Sequence, residues 1–558
     1  MLTFVTFLWA ASAAQTAPQS APQTAPQTAD LVLLSANIYT ANVRRPRAAA
    51  MAARAGRIVA LGTNDQIESW IGDGTEVLNL AGRTVLPGLI DSHGHMPSLG
   101  EVLSSIDLVG TPDYQSVIAR VVEKARITPK REWIYGQGWD QNDWPVMEFP
   151  RHGPLSEAVP DHPVMLERID GHAVLVNQKA LELAGISGST RDPEGGRIVR
   201  DADGTPTGVL IDAGAGLVTK VIPAPAPAER ERRLLAAMRD CARQGLTMVH
   251  DAGIGKEDLQ AYRALLGRGT FPIRIYAMGS VRAGWSEELL EHGPEIQDRL
   301  MVRAIKVVSD GAMGSRGALM SAPYSDDPTN SGLETYPFDQ LAKLAARARD
   351  RGIQMRVHAI GDLANTKTLD AFAGAFGGAP HPELRWAIEH AQVVRPEDIG
   401  RFAKLGIIAS MQPTHATSDG PWAESRLGPE RVQWSYAWRQ FLSAGVRLAS
   451  GSDFPVERVS PMLGFYAAMT RRDLDDKLPA GGWRPEEKLT PEETLHSFTL
   501  EGAYLAFREQ DLGSLEIGKQ ADFVVLDRDP IASPADALKA QVLRTVVGGR
   551  TEYRSDAL

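Results

Sequence analysis

Eight short apolar runs, separated by longer amphipathic stretches, constrain this chain more than any other feature. They are VLPGLIDSHGH (ending at His95), LTMVHDAG (Leu246 to Gly253), IRIYAMG (Ile273 to Gly279) and VRAIKVVSDG (Val302 to Gly311), followed by MRVHAIGD (Met355 to Asp362), LRWAIEHAQ (Leu384 to Gln392), IIASMQPTH (Ile407 to His415) and VRLASGSDFP (Val446 to Pro455). Strand-like runs alternating with helix-like stretches predict βα units around a parallel sheet. Eight is the strand count that closes a (β/α)8 barrel, so the expected fold class is α/β. About 150 residues separate the first run from the second, far more than a βα loop needs, and a subdomain inserted over roughly residues 99–225 is expected.

The two ends share a different texture. From Asp30 come β-branched runs punctuated by glycine, in DLVLLSANIYT, GRIVALG and TEVLNLAGRTVLPG, and the same pattern returns in ADFVVLDRDP and VLRTVVGGRTEYR. Such runs read as strands and turns, and they predict one small β-domain assembled from residues 30–86 and 506–558, with the barrel (87–505) between them. Ahead of this lies LTFVTFLWAASAA, an apolar run of signal-peptide length ending in small residues, although no Lys or Arg precedes it. Residues 1–14 are therefore expected to direct export to the periplasm or medium. The run is too short to span a membrane. The repeated QTAPQSAPQTAPQ stretch (15–29) reads as an extended linker.

Charge and cysteine usage narrow the chemistry. The net charge of −10 argues against a polyanion-binding surface, so nucleic acid is not an expected partner. A single cysteine, Cys241, excludes an intrachain disulfide framework and any multi-cysteine metal site. It falls in an Ala/Arg/Leu stretch that reads as a helix, where a packed, inert thiol is the default. A metal would have to be held by histidine and carboxylate. Gly-rich DGAMGSRG (Asp310 to Gly317) lacks the spacing of a phosphate loop, and no G-x-S-x-G occurs.

Residues able to bind metal gather near the ends of the eight runs, where barrel enzymes assemble their sites. His93 and His95 are two positions apart, so on a strand both rings point to one side. Alone, such a pair is more often a buried, hydrogen-bonded structural feature. Lys306, His358, His390 and Asp453 each end a further run. A lysine binds metal poorly while protonated, but burial lowers its pKa, and reaction with CO2 then yields an anionic carbamate. The plain alternative for Lys306 is a salt bridge to a neighbour such as Asp310.

At this point the chain resembles the amidohydrolase superfamily, particularly the family named amidohydrolase 3 or YtcJ-like. The matching passages run nearly the length of the chain: PGLIDSHGH, GQGWDQNDWP, DGHAVLVN, GLTMVHDAG, IKVVSDGAMGSR, VHAIGD, IEHAQVV, SGSDFPV and GSLEIGKQADFVVLDRDP. The resemblance implies that His93, His95, carbamylated Lys306, His358, His390 and Asp453 form a centre for two divalent ions, zinc by expectation, with a single ion if Lys306 is unmodified. His93, His95 and Asp453 would hold the first ion, and His358 and His390 the second. It also implies that the terminal strands form a composite β-sandwich. The implied reaction is hydrolysis of an amide, N-acyl or N-formyl C–N bond in a small molecule: the ions activate water and polarise the carbonyl, and Asp453 takes the proton as general base and returns it to the leaving amine.

Other residues are candidates for substrate contact. The resemblance suggests that His172, in the insertion, belongs to a lid over the pocket. Trp139, Asp140 and Trp144 could wall an apolar pocket, though clustered tryptophans are as often core. Gln412 and His415, after the seventh run, could meet substrate, and His250, Asp251 and Asp310 suit hydrogen-bonding support. The same centre would also serve an esterase, lactonase or carbamate hydrolase. A secreted, non-catalytic metal-binding protein is the rival of another class, but a degenerate copy would be expected to have lost one of the six residues. A homodimer is the default assembly.

Overall fold

The computed structural model describes residues 28–557 except 170 and 194. The expected signal peptide and all but the last two linker positions lie outside the described residues. Ala29 is already tied in: its N–H donates to Trp70 O at 2.8 Å, and its carbonyl accepts from Thr75 Oγ1 at 2.7 Å.

All eight apolar runs form parallel strands, β1 (Leu89–Gly94), β2 (Leu246–Ile254), β3 (Arg274–Ser280), β4 (Leu300–Val308), β5 (Gln354–Ala359), β6 (Ala387–His390), β7 (Ile408–Met411) and β8 (Leu448–Ser450), each paired with its neighbour in chain order. Strands covered on both faces read as near-continuous apolar runs, which is why they stand out in the sequence. Helices pack outside by a stripe of apolar positions. In Pro227–Arg243, Leu234, Ala237, Met238 and Cys241 recur at helical spacing and are all buried. The lone thiol is thus a core group, with its Sγ 3.9 Å from Met96 Sδ.

Between β1 and β8 the residues just past β8 complete the barrel wall. The buried Asp91 carboxylate accepts from Ser452 Oγ at 2.7 Å, from Ser452 N at 3.1 Å and from His93 N at 3.0 Å. Asp453 N donates to His93 O at 2.7 Å, and His95 N to Phe454 O at 2.9 Å. Gly451 is required at this approach, because a Cβ there would lie 2.5 Å from His93 N and 2.7 Å from Asp91 Oδ1.

The segment between β1 and β2 carries its own six-stranded sheet, running from Gly196–Arg200 at one edge to Ile106–Asp107 at the other. Both chain ends join in a further six-stranded sheet, where Phe523–Leu526 pairs antiparallel with Thr84–Pro87 in the register Phe523↔Pro87 and Val525↔Val85. A four-stranded sheet of Leu31–Leu34, Ala50–Arg54, Arg57–Gly62 and Glu76–Asn79 packs against it. Leu31, Leu33 and Met51 on one side meet Val85, Phe523 and Val546 on the other in a single apolar cluster, while the alternate residues Val32, Ala50 and Ala52 face Ile67. Among the described residues no helix is long and apolar enough to cross a membrane.

A buried charge pair fastens the terminal sheet to the barrel. Arg274, fully buried on β3, donates from Nε and Nη2 to Asp522 at 3.0 and 3.1 Å, and Asp522 also accepts from Gly548 N at 2.6 Å. The exposed Asp298 meets the same guanidinium at 2.7 Å. Removing one partner of a buried pair leaves an uncompensated charge. Asp522→Ala is expected to lower unfolding stability by about 3–5 kcal/mol in urea titrations; a loss below about 1 kcal/mol would mean that Asp298 alone neutralises Arg274.

Candidate metal centre

The six residues singled out at strand ends surround one cavity of about 430 Å³ at the C-terminal end of the barrel. Its remaining wall is largely apolar, including Ala252, Val308, Met313, Ile360, Trp422 and Val456. Two of the six sit in the left-handed backbone region, His390 at φ 70° and Asp453 at φ 63°. Non-glycine residues rarely adopt that conformation, and here it turns both side chains as their strands end.

His93 lies at the bottom, fully buried. Its Nδ1 faces Glu389 Oε2 at 2.5 Å, so a proton on Nδ1 leaves Nε2 with a free lone pair pointing into the cavity. Glu389 in turn pairs with the buried Arg356, which also donates to Ser92 O at 3.0 Å. Burial opposes the charge on Glu389, but Arg356, His93 and Lys306 together outweigh it and hold the carboxyl well below the usual range. Burial, reinforced by Lys306, pushes His93 down to about 4. Burial and the neighbouring His358 likewise push His390 well below its ordinary value. Both rings are therefore neutral at neutral pH, the form that ligation requires.

Lys306 Nζ is 3.2 Å from His93 Nε2, and burial lowers its pKa to about 8. Asp310, the neighbour that would have offered a plain salt bridge, is occupied by the backbone N–H groups of Leu319, Ile360 and Gly361 at 2.9, 3.0 and 2.8 Å, and stands 3.3 Å from His358 Nε2. Asp251 accepts from Met96 N and Tyr262 OH, fixing the helix that starts after His95.

The donor set fits a divalent cation. Asp453 Oδ1 is buried and makes no hydrogen bond, yet His95 Nε2 lies 3.0 Å from it and His93 Nε2 3.4 Å. Ligand atoms of His93, His390 and Asp453 fall within 4.8 Å of one another. An orphaned carboxylate oxygen ringed by imidazole nitrogens is a donor set that a cation satisfies.

The insertion residues expected at the pocket lie elsewhere. Trp139 and Trp144 are buried in the apolar interior of the inserted domain with Val117 and Leu155, and their Nε1 groups donate to Leu166 O at 2.8 Å and Thr111 O at 2.9 Å. Indoles whose N–H groups are satisfied inside a core leave no face for a ligand. Asp140 binds Arg168 at 2.8 Å. His172 is largely exposed and pairs with Asp212 at 2.8 Å within the inserted sheet. Glu389 and Arg356 escape the sequence reading, although a glutamate in AIEH and an arginine in QMRVHA, inside otherwise apolar strands, signal a buried pair.

The chain matches the Amidohydrolase family over residues 76–553. It is 34% identical over 528 residues to the YtcJ protein of Bacillus subtilis (strain 168), covering 92% of this chain and 98% of that one. It is 29% identical over 539 residues to the N-substituted formamide deformylase of Arthrobacter pascens, covering 94% and 98%. A solved structure of an uncharacterized metal-dependent hydrolase from Pyrococcus furiosus superimposes with a TM-score of 0.74 at 29% identity, covering 90% of this chain and 99% of that one.

Gln412 holds a ring rather than facing open space: its Oε1 is 2.7 Å from His390 Nδ1, which turns Nε2 of that ring to the cavity. Gln412→Leu is accordingly expected to weaken binding of a divalent cation by about 10–100-fold in chelator competition and to leave KM at saturating metal unchanged. A raised KM with intact metal affinity would instead restore Gln412 as a substrate contact.

Proposed function

Because the chain belongs to the amidohydrolase family, we propose that it hydrolyses a C–N bond of a small amide, N-acyl or N-formyl compound at the cavity over β1, β4, β5, β6 and β8. The observation that carries this reading is the buried Asp453 carboxylate with one oxygen unbonded amid imidazole nitrogens, beside a lysine with a lowered pKa. His93, His95 and Asp453 would hold one divalent ion, and His358 and His390 a second. With a pKa of about 8, Lys306 has about one amine in ten neutral at pH 7. That amine attacks CO2, forming an N–C bond and losing a proton, and the resulting carbamate would serve both ions. Bound there, divalent zinc supplies a Lewis acid for the substrate carbonyl and lowers the pKa of water.

The protein's own part is proton handling and positioning. Asp453, on the strand end opposite Lys306, takes the proton from the attacking water and delivers it to the departing nitrogen, which would otherwise leave as an amide anion. Glu389 and Gln412 keep two imidazoles turned towards the cavity. The apolar part of the wall suits an uncharged substrate portion. Support for the C–N bond class comes from the similarity to the Arthrobacter pascens enzyme.

The test is a matched panel of N-formyl, N-acyl and simple amides, with the corresponding esters, on zinc-loaded protein. Amide cleavage is expected, with Lys306→Ala strongly impaired. Asp453→Asn should retain most bound zinc while kcat falls by about 10²–10⁴-fold; near-wild-type amide turnover by that variant would remove the proton-transfer role. Cleavage of esters without amides would reassign the bond class.

A further inference from the structure

We propose that His415 is a catalytic residue that donates a hydrogen bond to the substrate's carbonyl oxygen as it becomes an oxyanion; the proposal rests on the hydrolytic reading above. His415 lies in the first turn of the helix Pro413–Arg431 after β7 and lines the cavity. Its ring packs nearly parallel to that of His390, at 6.0 Å and 12°. Gln392 Nε2 donates to Nδ1 at 3.2 Å, so the ring proton sits on Nε2. That Nε2 is buried and has no hydrogen-bond partner. The nearest carboxylate oxygen, Asp453 Oδ2, is 3.7 Å away, beyond hydrogen-bond reach.

A buried donor held in one tautomer and left unpaired is costly unless a ligand brings the acceptor. Of the other carboxylates that line the cavity, Asp419 accepts from Tyr436 OH and Glu457 from Ser418 Oγ, while Met313, Ile360 and Trp422 offer side chains without acceptors. When water adds to an amide carbonyl its oxygen gains a full negative charge, so a fixed N–H there binds the transition state more strongly than the substrate. The ring only lends its N–H and transfers no proton, leaving the proton balance with Asp453.

The experiment uses zinc-loaded full-length protein, the fastest-cleaved member of the amide and ester panel, and the phosphonate isostere of that compound as a binding probe. His415→Phe is expected to keep its zinc, to lose about 10²–10³-fold in kcat and to hold KM within about threefold, and calorimetry should show the isostere weakened in parallel with kcat/KM. His415→Gln, whose amide N–H falls near the position of Nε2, should recover about tenfold of the loss. Gln392→Leu keeps the ring but frees its tautomer, and should give an intermediate loss; it carries the test if the Phe variant does not fold. Loss of zinc would make His415 a ligand and overturn the proposal, as would an unchanged kcat or a rise in KM alone. If esters are cleaved and amides are not, the bond class fails while His415 is still judged on the ester, which passes through the same oxyanion. Wild-type protein that cleaves no member of the panel would overturn both.

Discussion

The arrangement of the site depends on the seam between β1 and β8. There Asp91 draws Ser452 and the His93 amide onto one buried carboxylate, and Gly451 lets the two backbones approach where any side chain would collide. Because Asp453 follows Ser452 and donates its own N–H to His93 O, the seam sets the last strand's carboxylate beside the first strand's histidines. Residues 360 positions apart in sequence, His93 and Asp453, are thereby brought within 3.4 Å. The left-handed conformation of Asp453 is sustained by this bonding, since it costs of order 1–3 kcal/mol elsewhere.

Burial then does the electrostatic work. For buried groups the charged forms of histidine and lysine are disfavoured, so His93 and His390 stay neutral and Lys306 shifts towards its free amine. The compensating charges lie below the cavity floor, where Arg356 neutralises Glu389 and Glu389 orients His93. One buried ion pair thus allows a carboxylate to direct an imidazole without leaving an unpaired charge in the barrel. At the opposite end Arg274 and Asp522 perform a comparable neutralisation, coupling the terminal sheet to β3.

Much of this was legible in the chain. All eight strands were, because a strand covered on both faces must be apolar along its length and then break into polar residues where it ends. So were the six polar residues around the cavity, because each closes such a run. Pairing of the chain ends was visible as matching β-branched texture. The inserted domain misled: Trp139 and Trp144 carry the composition of a pocket wall, and composition does not say which face of a sheet turns inward. Asp140 and His172 likewise find partners, Arg168 and Asp212, within the insertion.

By itself, then, the sequence determined the strand count, the parallel order and which side chains reach the strand ends, since these follow from local periodicity and from where apolar runs stop. Only the tertiary structure decided that Gln412 turns His390, that Glu389 and Arg356 support His93, and that His415 leaves its Nε2 unpaired in the cavity. Those facts depend on rotamers and on contacts between strands remote in sequence, set by barrel register and closure, and no local pattern of residues encodes them.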